Sequence, residues 1–98
     1  MIKVIVVDDE RFVRMGIVGE TDWASLGCEV VGEAENGLDA LELVHKKNPD
    51  LMICDIRMPK MNGLEMLKKL REEKNPVQVI FLTAYSEFSY AREALKLY

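Results

Sequence analysis

Two short apolar runs in this chain end in acids. Asp8 and Asp9 follow Val4-Ile5-Val6-Val7, and Asp55 follows Leu51-Met52-Ile53-Cys54. A later run, Val77 to Leu82, ends in Thr83. Ionised carboxylates brought together repel one another. The usual remedy is a divalent cation, and an all-oxygen ligand set selects Mg²⁺ over softer metals. Mg²⁺ is commonly held by one or two carboxylates, with water and phosphate oxygens completing its shell. Asp8, Asp9 and Asp55 are therefore candidate metal residues. Beside such an ion Asp55 becomes a nucleophile toward a phosphoryl group, giving an acyl phosphate. The ion offsets charge on the phosphoryl oxygens, and the Thr83 hydroxyl is expected to face the same crevice.

That chemistry requires the run ends to meet, so the elements matter. Apolar runs at Lys3–Val7, Glu29–Ala34, Leu51–Cys54 and Val77–Thr83 alternate with amphipathic stretches. This is the pattern of a parallel sheet with crossover helices. The continuous runs Val4–Val7 and Val79–Leu82 predict strands buried on both faces, hence helices on both sides of the sheet. The first helix is expected from Phe12 to about Gly19, with Phe12, Met15 and Gly16 on one side. Leu38, Leu41 and Val44 mark the second, Leu64, Leu67 and Leu70 the third, and Phe88, Ala91 and Leu95 the fourth. Asn36-Gly37 and Asn62-Gly63 punctuate two helix starts, with Asn a favourable cap. Pro49 and Pro76 stand just before strands three and four, where a helix has already stopped. The expected fold is α/β: a three-layer, doubly wound parallel sheet of the flavodoxin-like kind. If the sheet reverses after its second strand, its order is 2-1-3-4. The crevice then opens at the carboxyl ends of strands one and three, where the acids stand.

Other residues have plainer readings. Cys28 and Cys54 have neither CxxC spacing nor a histidine cluster, so no zinc site is expected. Cys54 reads as a small buried hydrophobe in a reduced, cytoplasmic setting. His45 reads as a solvated residue offsetting a helix C-terminus, and Met58, Met61 and Met66 as core filler. Trp23 is expected to pack its connection, and Lys46-Lys47 and Lys68-Lys69 to form solvated faces. The 98 residues suit one domain, and a net charge of −4 argues against a nucleic-acid surface. No run reaches the roughly 18–20 apolar residues of a membrane span, and the N-terminus does not read as a signal peptide.

Taken in order, Val6-Val7-Asp8-Asp9-Glu10, Gly32-Glu33-Ala34-Glu35-Asn36-Gly37, Pro49-Asp50-Leu51, Asp55-Ile56-Arg57-Met58-Pro59, Met61-Asn62-Gly63 and Leu82-Thr83-Ala84-Tyr85 resemble the receiver domain of two-component response regulators. The resemblance runs over the whole chain. It implies that Asp55 is the phosphoacceptor for a histidine kinase and that Asp9 binds Mg²⁺ directly, with Asp8 nearby. It also implies that the Arg57 backbone carbonyl completes the protein's share of the metal shell and that Thr83 turns inward to the phosphoryl group. The surface from Tyr85 to Tyr98 would read out the change. The stretch around Trp23 and the run Tyr90 to Leu97 resemble regulators with a C-terminal AraC-type DNA-binding domain, so the partner implied is the chain's own transcriptional output domain. Family members continue into a fifth strand, bearing a Lys before a Pro, and a fifth helix. Against that pattern residues 1–98 are expected to form a receiver domain incomplete at its C-terminus. Strand four is then an apolar edge, and self-association, such as a homodimer, is expected.

Two other functions compete with this one. An Asp-nucleophile phosphohydrolase resembling the haloacid dehalogenase group wants a second acid two residues after the nucleophile, where this chain has Arg57. No GxxxxGK[ST] loop is present either. The other reading is a binding module that works by dimerisation without phosphorylation. The phosphoacceptor switch, with no turnover chemistry of its own, is the reading favoured.

Overall fold

The computed structural model describes residues 1–82. Its elements run β1 (Ile2–Val7), α1 (Arg11–Glu20), a 3₁₀ turn (Ala24–Leu26), β2 (Cys28–Ala34), α2 (Gly37–Lys47), β3 (Leu51–Asp55), α3 (Gly63–Glu72) and β4 (Gln78–Leu82). The expected fourth helix around Phe88, Ala91 and Leu95, and the expected site residue Thr83, lie outside the described residues.

The four strands are parallel and ordered β2-β1-β3-β4, so the expected order and switch point hold. Register decides what meets at the crevice. Val7 of β1 pairs with Cys54 of β3, so the next residues along, Asp8 and Asp55, emerge level with each other. On the other side, β1 pairs with β2 through Val7 and Ala34, after a one-residue slip between Val4 and Ile5.

The alternate residues of each strand enter two cores. One face of the sheet carries Ile5, Val7, Met52, Cys54, Val77 and Val79 against Ala40 and Val44 of α2 and Met66, Leu67 and Leu70 of α3. The other carries Val4, Val6 and Cys28 against Ile17 and Val18 of α1, with Trp23, Val30, Leu51 and Ile53. Each fully buried aliphatic side chain stabilises the fold by roughly 1.5–3 kcal/mol relative to exposure. The three methionines behave as expected: Met66 is fully buried and Met58 and Met61 pack against the first core. Trp23 packs its connection and donates its indole N–H to the Val18 carbonyl at 3.1 Å.

Both asparagine caps are present. Asn36 accepts the Asp39 N–H at 2.9 Å. Asn62 and Glu65 close a reciprocal capping box on α3, at 2.9 and 3.1 Å. α2 ends on Asn48, left-handed at φ 48°, whose N–H returns to the Val44 carbonyl. His45, exposed on the last turn of α2, lies 2.6 Å from Glu73 at the end of α3.

Three expectations about faces are corrected. Phe12 and Met15 do not face the sheet: they are 86% and 51% exposed. The inner stripe of α1 is Arg14, Ile17 and Val18, all partly buried, an i, i+3, i+4 set with a cation at its head. Leu38 also points outward, and α2 buries Gly37, Ala40 and Val44 instead. β4 is not buried on both faces. Val79 is buried, whereas Ile80 and Leu82 are 49% and 38% exposed, on the edge strand of the sheet.

Candidate functional site

The sheet brings together all three acids read from the sequence. One carboxylate oxygen each from Asp8, Asp9 and Asp55 lie within 4.8 Å of one another. Asp8 is buried, Asp55 half-buried and Asp9 exposed, so the cluster is anchored in the sheet and open on one side.

Asp8 is held from three directions. Its N–H donates to the Ala34 carbonyl on β2 at 3.0 Å. Its carbonyl accepts Nη1 of Arg14 at 2.6 Å. Its Oδ1 accepts the Glu10 N–H at 2.8 Å, which aims the carboxylate back along the β1–α1 turn. Asp55 is held by the turn that follows it. Its Oδ1 accepts the Ile56 N–H at 2.8 Å, and the Arg57 N–H also favours the charged carboxylate. Ile56 is completely buried and accepts the Gly63 N–H at 2.7 Å, tying this turn to the start of α3. Behind it, the Cys54 thiol points at the Asp55 carbonyl, with sulfur and oxygen 3.0 Å apart. Burial, with the Asp55 and Asp8 charges, pushes that thiol far up, so it stays protonated.

Electrostatics set the tone of the site. Burial first, and then the Asp8 charge, pushes the Asp55 carboxyl up to about 6. Burial likewise raises Asp8, against the opposing pull of the Glu10 N–H. The repulsion between these two is mutual, so the second of the pair to ionise bears it. A hard cation among the three oxygens relieves it, and the all-oxygen donor set suits Mg²⁺. The residues present therefore fit that ion.

Sequence reasoning missed two contributors. Arg14 reaches the Asp8 carbonyl and also bonds Glu33 Oε1 through Nε at 3.1 Å. The signal is its place three and four residues, about one helical turn, before Ile17 and Val18, and a cation on an inner stripe masks it. Gly63 is the second. A Cβ there would lie 2.7 Å from the Asp55 carbonyl oxygen and 2.8 Å from Phe81, so only glycine lets α3 start against β3. Arg57 is exposed on the turn after Asp55. A cleft of about 400 Å³ opens on the β2 side, lined by Arg14, Glu33, Ala34, Glu35 and Asp39; none of the three acids lines it.

Comparison with known proteins agrees with this architecture. The family model described as response regulator receiver domain matches residues 4–98. The chain is 43% identical over 96 residues to the uncharacterized transcriptional regulatory protein YesN of Bacillus subtilis, spanning 98% of this chain and 26% of that protein. It is 41% identical over 93 residues to the transcriptional regulatory protein BtsR of Salmonella typhimurium, covering 91% of this chain and 36% of that one. It thus spans well under half the length of these relatives. Among solved structures, it superposes on the REC domain of AraT, a response regulator from Geobacillus stearothermophilus, with a TM-score of 0.92 at 43% identity, covering all of this chain and 77% of that one. A complex of CheX and CheY with BeF₃ and Mg²⁺ from Borrelia burgdorferi matches with a TM-score of 0.80 at 27% identity, over 97% of this chain and 71% of that one. Among the described residues no helix is long and apolar enough to cross a membrane.

Proposed function

The chain belongs to the response regulator receiver domain family, and from that membership and the site geometry we propose that it is a phosphoacceptor switch using Asp55 and Mg²⁺. The observation that carries the reading is the convergence of three carboxylate oxygens within 4.8 Å at the carboxyl ends of β1 and β3. Asp9 and Asp8 would hold the ion together with Asp55 and the Arg57 backbone carbonyl. Bound there, Mg²⁺ supplies positive charge against the oxygens of the incoming phosphoryl group.

Asp55 does the bond-making. One of its carboxylate oxygens attacks phosphorus, the acyl-phosphate bond forms, and the bond from phosphorus to the donor breaks, the donor being the phosphohistidine of a histidine kinase. The Ile56 N–H fixes the carboxylate plane for that attack. Asp8, pinned at its backbone and its Oδ1, keeps its position as charge is redistributed. Thr83 would donate its hydroxyl to the new phosphoryl group, a two-state change of the kind that alters contact with an output domain. That output domain is a transcriptional one in the parent protein, which works in the cytoplasm. The exposed β4 residues Ile80 and Leu82 support pairing with a second copy. The chain performs one phosphorylation per cycle and is not a turnover enzyme.

The test is intact-protein mass after incubation with acetyl phosphate and Mg²⁺, beside an Asp55→Asn control. The expected result is one added phosphoryl group in the wild type, absent from the control and absent in EDTA. An adduct of equal yield in the control, or none in the wild type, refutes the assignment.

A further inference from the structure

Arg14 belongs to the acid site without being one of its acids. We propose that it is a positioning residue: by fixing the peptide between Asp8 and Asp9 it sets the direction of both carboxylates toward Mg²⁺. The inference rests on the Mg²⁺-dependent reading given above.

Three observations carry it. First, the carbonyl that Nη1 of Arg14 holds at 2.6 Å belongs to the peptide joining Asp8 to Asp9. Asp9 is exposed, so the orientation of that peptide plane is what aims it. Second, the guanidinium is itself fixed. Nε bonds Glu33 Oε1 at 3.1 Å, and the Arg14 side chain is only 16% exposed on the inner stripe of α1. The forked donor spans two partners, one on the turn after β1 and one on β2, which a single ammonium cannot do in the same geometry. Third, the charge alone does not favour the ion. A cation beside Mg²⁺ ligands opposes the ion, and Glu33 cancels that charge locally. What remains is the geometry.

The alternatives predict different behaviour. If Arg14 only ties α1 to the sheet, its loss lowers stability and leaves Mg²⁺ affinity alone. If its charge dominates, removing it tightens Mg²⁺ binding. If it positions the Asp8–Asp9 peptide, its loss weakens Mg²⁺ binding even when charge is conserved.

The experiment is calorimetric Mg²⁺ titration of the wild type, Arg14→Lys and the double variant Arg14→Met/Glu33→Gln, each also unfolded thermally in EDTA. Arg14→Lys keeps the charge, and the double variant removes one charge of each sign. Both are expected to bind Mg²⁺ about tenfold more weakly, the usual lower range for losing a group that orients a metal ligand. Affinity equal to or tighter than wild type in either folded variant overturns the proposal, whatever happens to the unfolding midpoint. A wild type that binds no Mg²⁺ overturns the underlying reading as well, which separates that failure from this one.

Discussion

Replacing Asp55 by Asn should stabilise the metal-free protein at neutral pH, and the size of the gain follows from the site's electrostatics. Burial, reinforced by the Asp8 charge, raises the Asp55 carboxyl to about 6, against about 4 in an unfolded chain. A carboxyl with a raised folded pKa binds its proton more tightly when folded. The stability it contributes is therefore complete below pH ~4 and is lost as pH rises through about 6. At about 1.4 kcal/mol per pKa unit the full loss would approach ~3 kcal/mol. Asp55 is partly open to solvent, so screening reduces this to roughly 1–2 kcal/mol. Asn cannot ionise, yet its side-chain oxygen still accepts the Ile56 N–H that Asp55 accepts at 2.8 Å. In EDTA at pH 7.5 the Asp55→Asn protein should thus melt roughly 5–10 °C above wild type, since 1 kcal/mol shifts the midpoint of a domain this size by about 4–8 °C. The gap should close toward pH 4.5, where wild-type Asp55 is protonated. Thermal unfolding by circular dichroism across pH 4.5–8 reads both quantities. Equal midpoints at pH 7.5, or a gap that does not shrink on acidification, would refute the idea that burying a charged Asp55 beside Asp8 burdens the metal-free fold.

The same electrostatics make Mg²⁺ a stabiliser: saturating Mg²⁺ should raise the wild-type midpoint at pH 7.5 and have little effect at pH 4.5, where protons occupy Asp55. A shift of equal size at both pH values in a thermal scan counts against it. Gly63→Ala should destabilise by about 1–3 kcal/mol, because its Cβ would sit 2.7 Å from the Asp55 carbonyl oxygen and 3.2 Å from Ile56 Cα. It should also slow phosphorylation by acetyl phosphate, so a wild-type rate and midpoint together exclude this packing role. Asn62→Ala removes one side of the capping box on α3 and should cost about 1 kcal/mol in urea unfolding. Cys28 and Cys54 are both free and buried, so a thiol reagent should label them only as fast as the protein opens; prompt labelling of the native state would contradict that burial.

Much of the fold and of the acid cluster is legible in the sequence, for a physical reason. Strands buried on both faces must be continuously apolar, and Val4–Val7, buried throughout, is such a run, while Leu51–Cys54 is a second apolar run that ends in an acid. Right-handed crossovers leave few topologies, and the crevice of the resulting sheet falls at the ends of those runs. Asp8, Asp9 and Asp55 were therefore legible as a group, and their mutual approach needed only the pairing of Val7 with Cys54. Less legible was anything that depended on which side of an element turns inward. α1 offers two apolar stripes, and the one containing Phe12 and Met15 is the wrong one, because Arg14 joins Ile17 and Val18 on the inside. A charged residue at the head of an inner stripe breaks the hydrophobic signal at the point where it does the most for the site. β4 misled in the opposite way: Val79-Ile80-Phe81-Leu82 is apolar throughout, yet Ile80 and Leu82 stand exposed, since composition records how apolar a strand is and not what covers it.

The placement of Arg14 bears on how the site works. The core is built so that its only buried ionisable acid among the described residues, Asp8, faces a half-buried Asp55 across one strand pairing. Arg14 bonds Asp8 at its backbone and Glu33 at its side chain, so it orders the acids while its charge only partly opposes the burial that raises Asp8. Had Arg14 paired with the Asp8 carboxylate, the repulsion that raises Asp55 would fall, and with it the advantage of admitting a cation. An arrangement that leaves the acids in tension and fixes their geometry from outside favours an ion and a phosphoryl group as the species that complete the site. That is what a switch requires: the resting state must be folded, and still lack something that only the signal brings.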